Sequence, residues 1–136
     1  MNTEWAGAAV SARDLLGSAA SPVTLSTSYG AASSGVSTGG ARWAVFFVFV
    51  DSASAAAQID IRIDASDVGA EWAPLTSETI TSGAAPQSDY EPQRAFTGTG
   101  LILALPVPVR GVPWLRVAAK ADAGSPTVHI RYSLGA

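Results

Sequence analysis

The stretch Ala41–Asp51, Ala-Arg-Trp-Ala-Val-Phe-Phe-Val-Phe-Val-Asp, is the densest apolar run in the chain. It opens after Gly39-Gly40 and closes on Asp51-Ser52. Its bulky and β-branched residues suit a pleated strand better than a helix. In a strand, Trp43, Val45, Phe47 and Phe49 face one way, and Ala44, Phe46, Val48 and Val50 the other. Both faces are apolar. The pattern therefore predicts cover on both sides, Trp43 in the core, and a cost of about 3–5 kcal/mol for Phe47→Ala. If one face instead covers a subunit interface, Phe47→Ala weakens assembly more than folding.

The cleanest alternation in the chain follows, in Gln58-Ile59-Asp60-Ile61-Arg62-Ile63-Asp64. Ile59, Ile61 and Ile63 point to a core, and Asp60, Arg62 and Asp64 to water. The small-residue turn between the two runs predicts a hairpin. Further strands are expected at Pro22–Tyr29, around Glu78–Thr81, within Phe96–Val109, at Val112–Lys120 and at Thr127–Leu134. Pro106 and Pro108 lack their donors on the same side of the chain, which makes that section an edge strand or an unpaired extension. Leu115, Val117 and Ala119 share one face of the next strand. In the last strand Val128, Ile130, Tyr132 and Leu134 point inward, and His129, Arg131 and Ser133 outward. Gly30–Gly40 reads as an intradomain loop, and Ser82–Arg94 as the longest polar loop. Residues 1–20 read as an N-terminal arm with at most a short helical turn. In that arm Trp5 is a candidate anchor on a neighbouring subunit. The fold class is all-β: an antiparallel β-sandwich, jelly-roll or Ig-like, of about seven to eight short strands over residues 21–136.

At 136 residues the chain is one domain, able to bury about two-thirds of its unfolded surface without a disulfide or metal. It has no cysteine, which excludes thiol catalysis and thiolate metal sites. The net charge is −3, and the single Lys and seven Arg form no run. Phosphate-backbone affinity needs clustered cations, so no nucleic-acid partner is expected. The apolar runs fall far short of the roughly 20 residues that span a bilayer. No positive segment precedes an apolar stretch at the N-terminus, so neither a secretion signal nor a membrane partner is expected.

The search for chemistry yields little. His129 is the sole histidine and reads as a surface residue, with no Gly-x-Ser-x-Gly elbow to join. Asp60, Asp64, Asp67 and Glu71 form the best acidic cluster. They lack the Asp-x-Asp-x-Asp-Gly spacing of a calcium loop, and Arg62 is placed to pair with its neighbours. A solvated face is the favoured reading, ahead of calcium or a glycosidase-type carboxylate pair. No glycine-rich stretch fits a phosphate loop. No catalytic residue, cofactor or metal is assigned. Trp43, Trp72 and Trp114 are the residues that a sugar platform would use, although core or rim packing is the default for each.

Three stretches together resemble a known group. They are Trp43–Val50 with Gln58–Ile63 and Trp72-Ala73-Pro74-Leu75; then Leu105-Pro106 ahead of Val112-Pro113-Trp114-Leu115-Arg116-Val117; then the ending Ser125–Ala136. Their order resembles small virion structural proteins of tailed bacteriophages, some of which are head decoration, or cement, proteins. The resemblance covers roughly residues 41–136. It implies a non-enzymatic β-sandwich on the outer surface of a capsid, with the major capsid protein as partner. It also implies self-association, commonly as a homotrimer at threefold positions. Buried aromatics and arginines anchor such contacts. The candidate partner-contact residues are Trp5, Tyr90, Arg94 and Trp114. The rival readings are a carbohydrate-binding or adhesin-like module, a tail or head-completion protein, and a hydrolase using the Asp60/Asp64 face.

Overall fold

The computed structural model describes residues 12–54, 56, 58–82, 95–96 and 99–136. Of the expected contact residues, Trp5, Tyr90 and Arg94 lie outside these, as does most of the loop 82–94.

The described residues form two sheets and no helix. The strands are β1 (Arg13–Leu16), β2 (Val23–Thr24), β3 (Ala31–Ala32), β4 (Val36–Ser37), β5 (Trp43–Ser52), β6 (Gln58–Ser66), β7 (Ala73–Ser82), β8 (Ala95–Phe96), β9 (Gly100–Pro108), β10 (Trp114–Ala121) and β11 (Thr127–Gly135). The first sheet runs β1-β11-β5-β9, with β2 also on β11. The second runs β3-β10-β6-β7-β8, with β4 also on β10. Pairing is antiparallel throughout except for the two-residue β7–β8 contact. The β-sandwich expected from the alternation is present. Six of its strands are long; the rest are short bridges that stitch loops to β10, β11 and β7.

One core fills the space between the sheets. From the first sheet come Ala44, Phe46, Val48 and Val50 of β5, Leu103, Leu105 and Val107 of β9, and Val128 and Ile130 of β11. From the second come Ile59, Ile61 and Ile63 of β6, Ile80 of β7, and Leu115, Val117 and Ala119 of β10. Burial alternates strictly along β5, and along β6 as far as Ile63, so every second side chain enters the core.

Three expectations change. β5 and β6 do not form a hairpin: β5 pairs with β11 and β9, and β6 with β10 and β7. Each strand has an apolar face to bury. Crossing between sheets lets those faces meet in the core, whereas a hairpin would put them side by side. The crossing corner is tight. Ser54 adopts φ 38, and a Cβ on Gly124 would sit 1.9 Å from the Ser54 carbonyl oxygen. The corner is clipped to the facing turn by Gln58 N donating to Asp122 Oδ1 at 2.9 Å.

The second change concerns cover on β5. Its inner face is buried, but on the outer face Val45, Phe47 and Phe49 are only half-buried and Trp43 is 48% exposed. Trp43 is therefore not core, and the fully buried phenylalanine is Phe46 rather than Phe47. The third change is at the N-terminus. Arg13–Leu16, placed in the arm, is instead an edge strand on β11, and Leu16 enters the core at 4% exposure. The edge placement of Pro106 and Pro108 holds. Among the described residues β9 pairs with β5 alone, and both prolines are exposed.

Phe46→Ala should cost about 3–5 kcal/mol, as deep large-to-small core changes do. Phe47→Ala should cost distinctly less, because its ring is not fully removed from water. Urea denaturation of the two variants beside wild type checks the order.

Candidate functional site

The outer face of the second sheet carries the charges. β6 offers Asp60, Arg62 and Asp64; β10 offers Arg116, Ala118 and Lys120. The register sets Asp64 opposite Arg116, Arg62 opposite Ala118 and Asp60 opposite Lys120. Opposite charges therefore face one another across the strand pair. Asp64 is only 1% exposed. Its Oδ1 accepts from Arg62 Nε at 2.8 Å, and its Oδ2 from Arg62 Nη2 at 3.2 Å and Arg116 Nε at 2.9 Å. A buried carboxylate is tolerable when paired and hydrogen-bonded in this way.

Aromatic rings roof this network. Tyr29 lies over both cations, 4.4 Å from the Arg62 guanidinium carbon and 4.7 Å from Lys120 Nζ to its ring centroid. Trp72 covers Arg116 at 4.8 Å. Such contacts gain strength when partly desolvated. Gly35 lets the roof close, since a Cβ there would lie 2.7 Å from the Trp72 ring. The expected solvated face is corrected at Asp64, which is buried; Asp60 is half-buried, and Asp67 and Glu71 are exposed as expected. Burial pushes the Tyr29 phenol above its usual 10.0; the nearby Asp60 carboxylate adds to this and Arg62 opposes it.

The acidic cluster does not converge. Both Asp64 oxygens accept from arginines. Asp60 Oδ1 accepts from Thr79 Oγ1 at 2.7 Å and from Gln58 Nε2 at 3.1 Å. Asp67 and Glu71 are exposed in the following loop. Among the described residues no group of three metal-ligating side chains forms. The three-tryptophan platform is not assembled either. Trp72 and Trp114 lie on the second sheet's side, and Trp43 belongs to the first sheet. Trp114 is half-buried and packs over Gly69, whose Cβ would meet its indole at 3.2 Å.

The outer face of the first sheet divides in two. On the β5/β9 half, Val45 stands opposite Pro106, Trp43 opposite Pro108 and Phe47 opposite Ala104. This half presents apolar side chains to solvent. A groove of about 250 Å³, lined in part by Pro106, Pro108 and the exposed Leu75, continues it round the sandwich edge. On the β11/β1 half the face turns polar. His129, expected on the surface, is only 5% exposed. Its Nδ1 lies 2.7 Å from Asp51 Oδ2, and its ring stacks on Phe49 at 4.4 Å between centroids. Beside it Arg131 donates from Nη2 to the Ala12 carbonyl oxygen. The β5–β11 register, Phe49 opposite His129 and Phe47 opposite Arg131, was the missing information. Sequence spacing alone does not pair residues 51 and 129.

No family model and no curated protein sequence matches the chain. Solved structures do resemble it. One is a non-crystalline cellulose specific carbohydrate-binding module, CBM28, with TM-score 0.49 and 10% identity, covering 85% of this chain and 72% of that one. Another is the Eiger TNF from S. frugiperda, with TM-score 0.35 and 12% identity, covering 97% and 76% respectively. At these identities the likeness concerns the sandwich fold alone.

Asp64→Ala should destabilise by about 3–5 kcal/mol, because it leaves two guanidinium groups without their shared buried partner; chemical denaturation measures it. The Tyr29 shift has a definite sign. The fold favours the neutral phenol, so this contribution is complete below pH 10.0 and is lost as pH rises through the raised folded value. Tyr29→Phe should therefore flatten the alkaline fall in stability, and phenolate absorbance should show one fewer late-titrating group.

Proposed function

We propose that this protein is a non-enzymatic structural component of a tailed-phage virion. In this reading it is a head decoration protein that binds the outer surface of the capsid and bridges neighbouring capsomers. The observation that carries the reading is the apolar half-face of β5 and β9. Contiguous exposed apolar surface on a folded domain marks a contact with another macromolecule. Aromatic residues with few charges are the composition of an interface centre. Here the exposed Trp43 and the half-buried Val45 and Phe47 form one row and Ala104, Pro106 and Pro108 the next, with the exposed Leu75 round the edge. The resemblance of residues 41–136 to virion structural proteins supports the same reading.

Decoration needs surface complementarity rather than chemistry. Each copy can bind weakly, and a homotrimer then raises affinity through effective concentration. The proline-bearing β9 suits an exposed edge, because its missing donors discourage a stray strand from pairing there. The sandwich supplies a stiff support, and the arginine–aspartate network beneath the Tyr29 and Trp72 roof fixes the loops on the opposite side.

Peptide mapping of purified virions should find the chain in mature heads; its absence there would refute the proposal. Trp43→Asp alters an exposed side chain and should leave the thermal melt near wild type. It should lower occupancy on undecorated heads about thirtyfold, as loss of a central aromatic anchor does. Unchanged occupancy would move the contact elsewhere on the molecule.

A further inference from the structure

We infer that the cleft on the β11/β1 half of the first sheet is a binding site for a neutral polyhydroxylated ligand, a sugar of glycan type. The cleft is open, about 610 Å³, and is lined by Asp14, Ser18, Ala19, Ala20, Phe49, His129 and Arg131. That volume lies within the range of small-ligand sites. It adjoins the apolar β5/β9 surface: Phe49 of β5 lines it, and Arg131 stands opposite Phe47. The inference is independent of the virion reading.

One buried polar atom in this cleft lacks a hydrogen-bond partner among the described residues, Arg131 Nε. The nearest carboxylate oxygen, Asp14 Oδ1, is 3.4 Å away without hydrogen-bonding alignment. A buried polar atom without a partner is costly, so Arg131 Nε favours a ligand that supplies an acceptor. Beside it His129 is held by Asp51, with Nδ1 2.7 Å from Oδ2.

The donor and acceptor set selects the ligand class. Arg131 Nε donates. The Asp14 carboxylate accepts, and it is 55% exposed at the cleft mouth. An acceptor and a donor placed side by side fit adjacent hydroxyl groups, each of which both donates and accepts. Charge argues against an anion: one guanidinium is set against the carboxylates of Asp14 and Asp51. Ala19, Ala20 and the Phe49 ring offer apolar surface to the C–H face of a pyranose.

The test is an amide-shift titration of isotope-labelled protein. The probes are glucose, galactose, mannose and N-acetylglucosamine, with sodium acetate and inorganic phosphate run separately. At least one sugar should saturably shift Ser18, Ala19, Ala20 and His129, with Kd of about 1 mM, while acetate and phosphate leave them unmoved. Asp14→Asn, on a largely exposed side chain that does not hold the fold, should weaken that binding about tenfold, and Arg131→Lys similarly. If no sugar in the panel shifts these amides, the site is refuted. It is refuted equally if acetate or phosphate shifts them instead, or if Asp14→Asn binds as wild type does.

Discussion

The structure depends on the burial of one strand face against another across the sandwich. Phe46, Val48 and Val50 of β5 meet the same core as Ile59, Ile61 and Ile63 of β6, and all six are at most 1% exposed. Each such side chain contributes about 1.5–3 kcal/mol relative to exposure. No other pair of consecutive strands carries so much apolar bulk. Because both faces must be covered at once, the chain turns a corner between the sheets. That choice fixes the rest: β11 and β9 flank β5, while β10 and β7 flank β6.

Once the core is closed, the two outer faces take opposite solutions. The second sheet faces outward with Asp60, Arg62, Asp64, Arg116 and Lys120, and the chain covers them itself. The Tyr29 and Trp72 rings lie within 4.4–4.8 Å of the cations, and Gly35 gives the space for one of those rings. The first sheet faces outward with Trp43, Val45 and Phe47 beside Pro106 and Pro108, and among the described residues no loop roofs that half. On the charged face Asp64 is buried beneath half-buried Arg62 and Arg116, while on the apolar face Trp43 is 48% exposed beside half-buried Val45 and Phe47. The exposed Trp43 on an apolar half-face is the feature on which the proposed docking rests.

The strands were legible because their periodicity is local. Gln58–Asp64 and Thr127–Leu134 show their inner faces in the alternation itself, and the two prolines of β9 announce an edge. The pairing was not legible. Nothing in Ala41–Asp64 distinguishes a hairpin from a crossing, since both have the same alternation and the same short connection; the core decides. For the same reason His129 read as a surface residue: its partner Asp51 is brought beside it only by the β5–β11 register. Asp64 read as solvated because the loops that bury it come from distant parts of the chain. Trp43 read as core because its neighbours are apolar, yet it sits at the end of the strand on the side without a roof. Tertiary cover, unlike periodicity, is not written locally.

Radical footprinting of the tryptophans tests the central claim most directly, comparing free protein with protein bound to phage heads. Trp43 is 48% exposed on the open apolar half-face, whereas Trp72 and Trp114 lie on the other sheet's side. Binding should protect Trp43 and leave the modification of Trp72 and Trp114 unchanged. Protection of Trp72 or Trp114 with Trp43 still freely modified would contradict the apolar half-face as the docking surface.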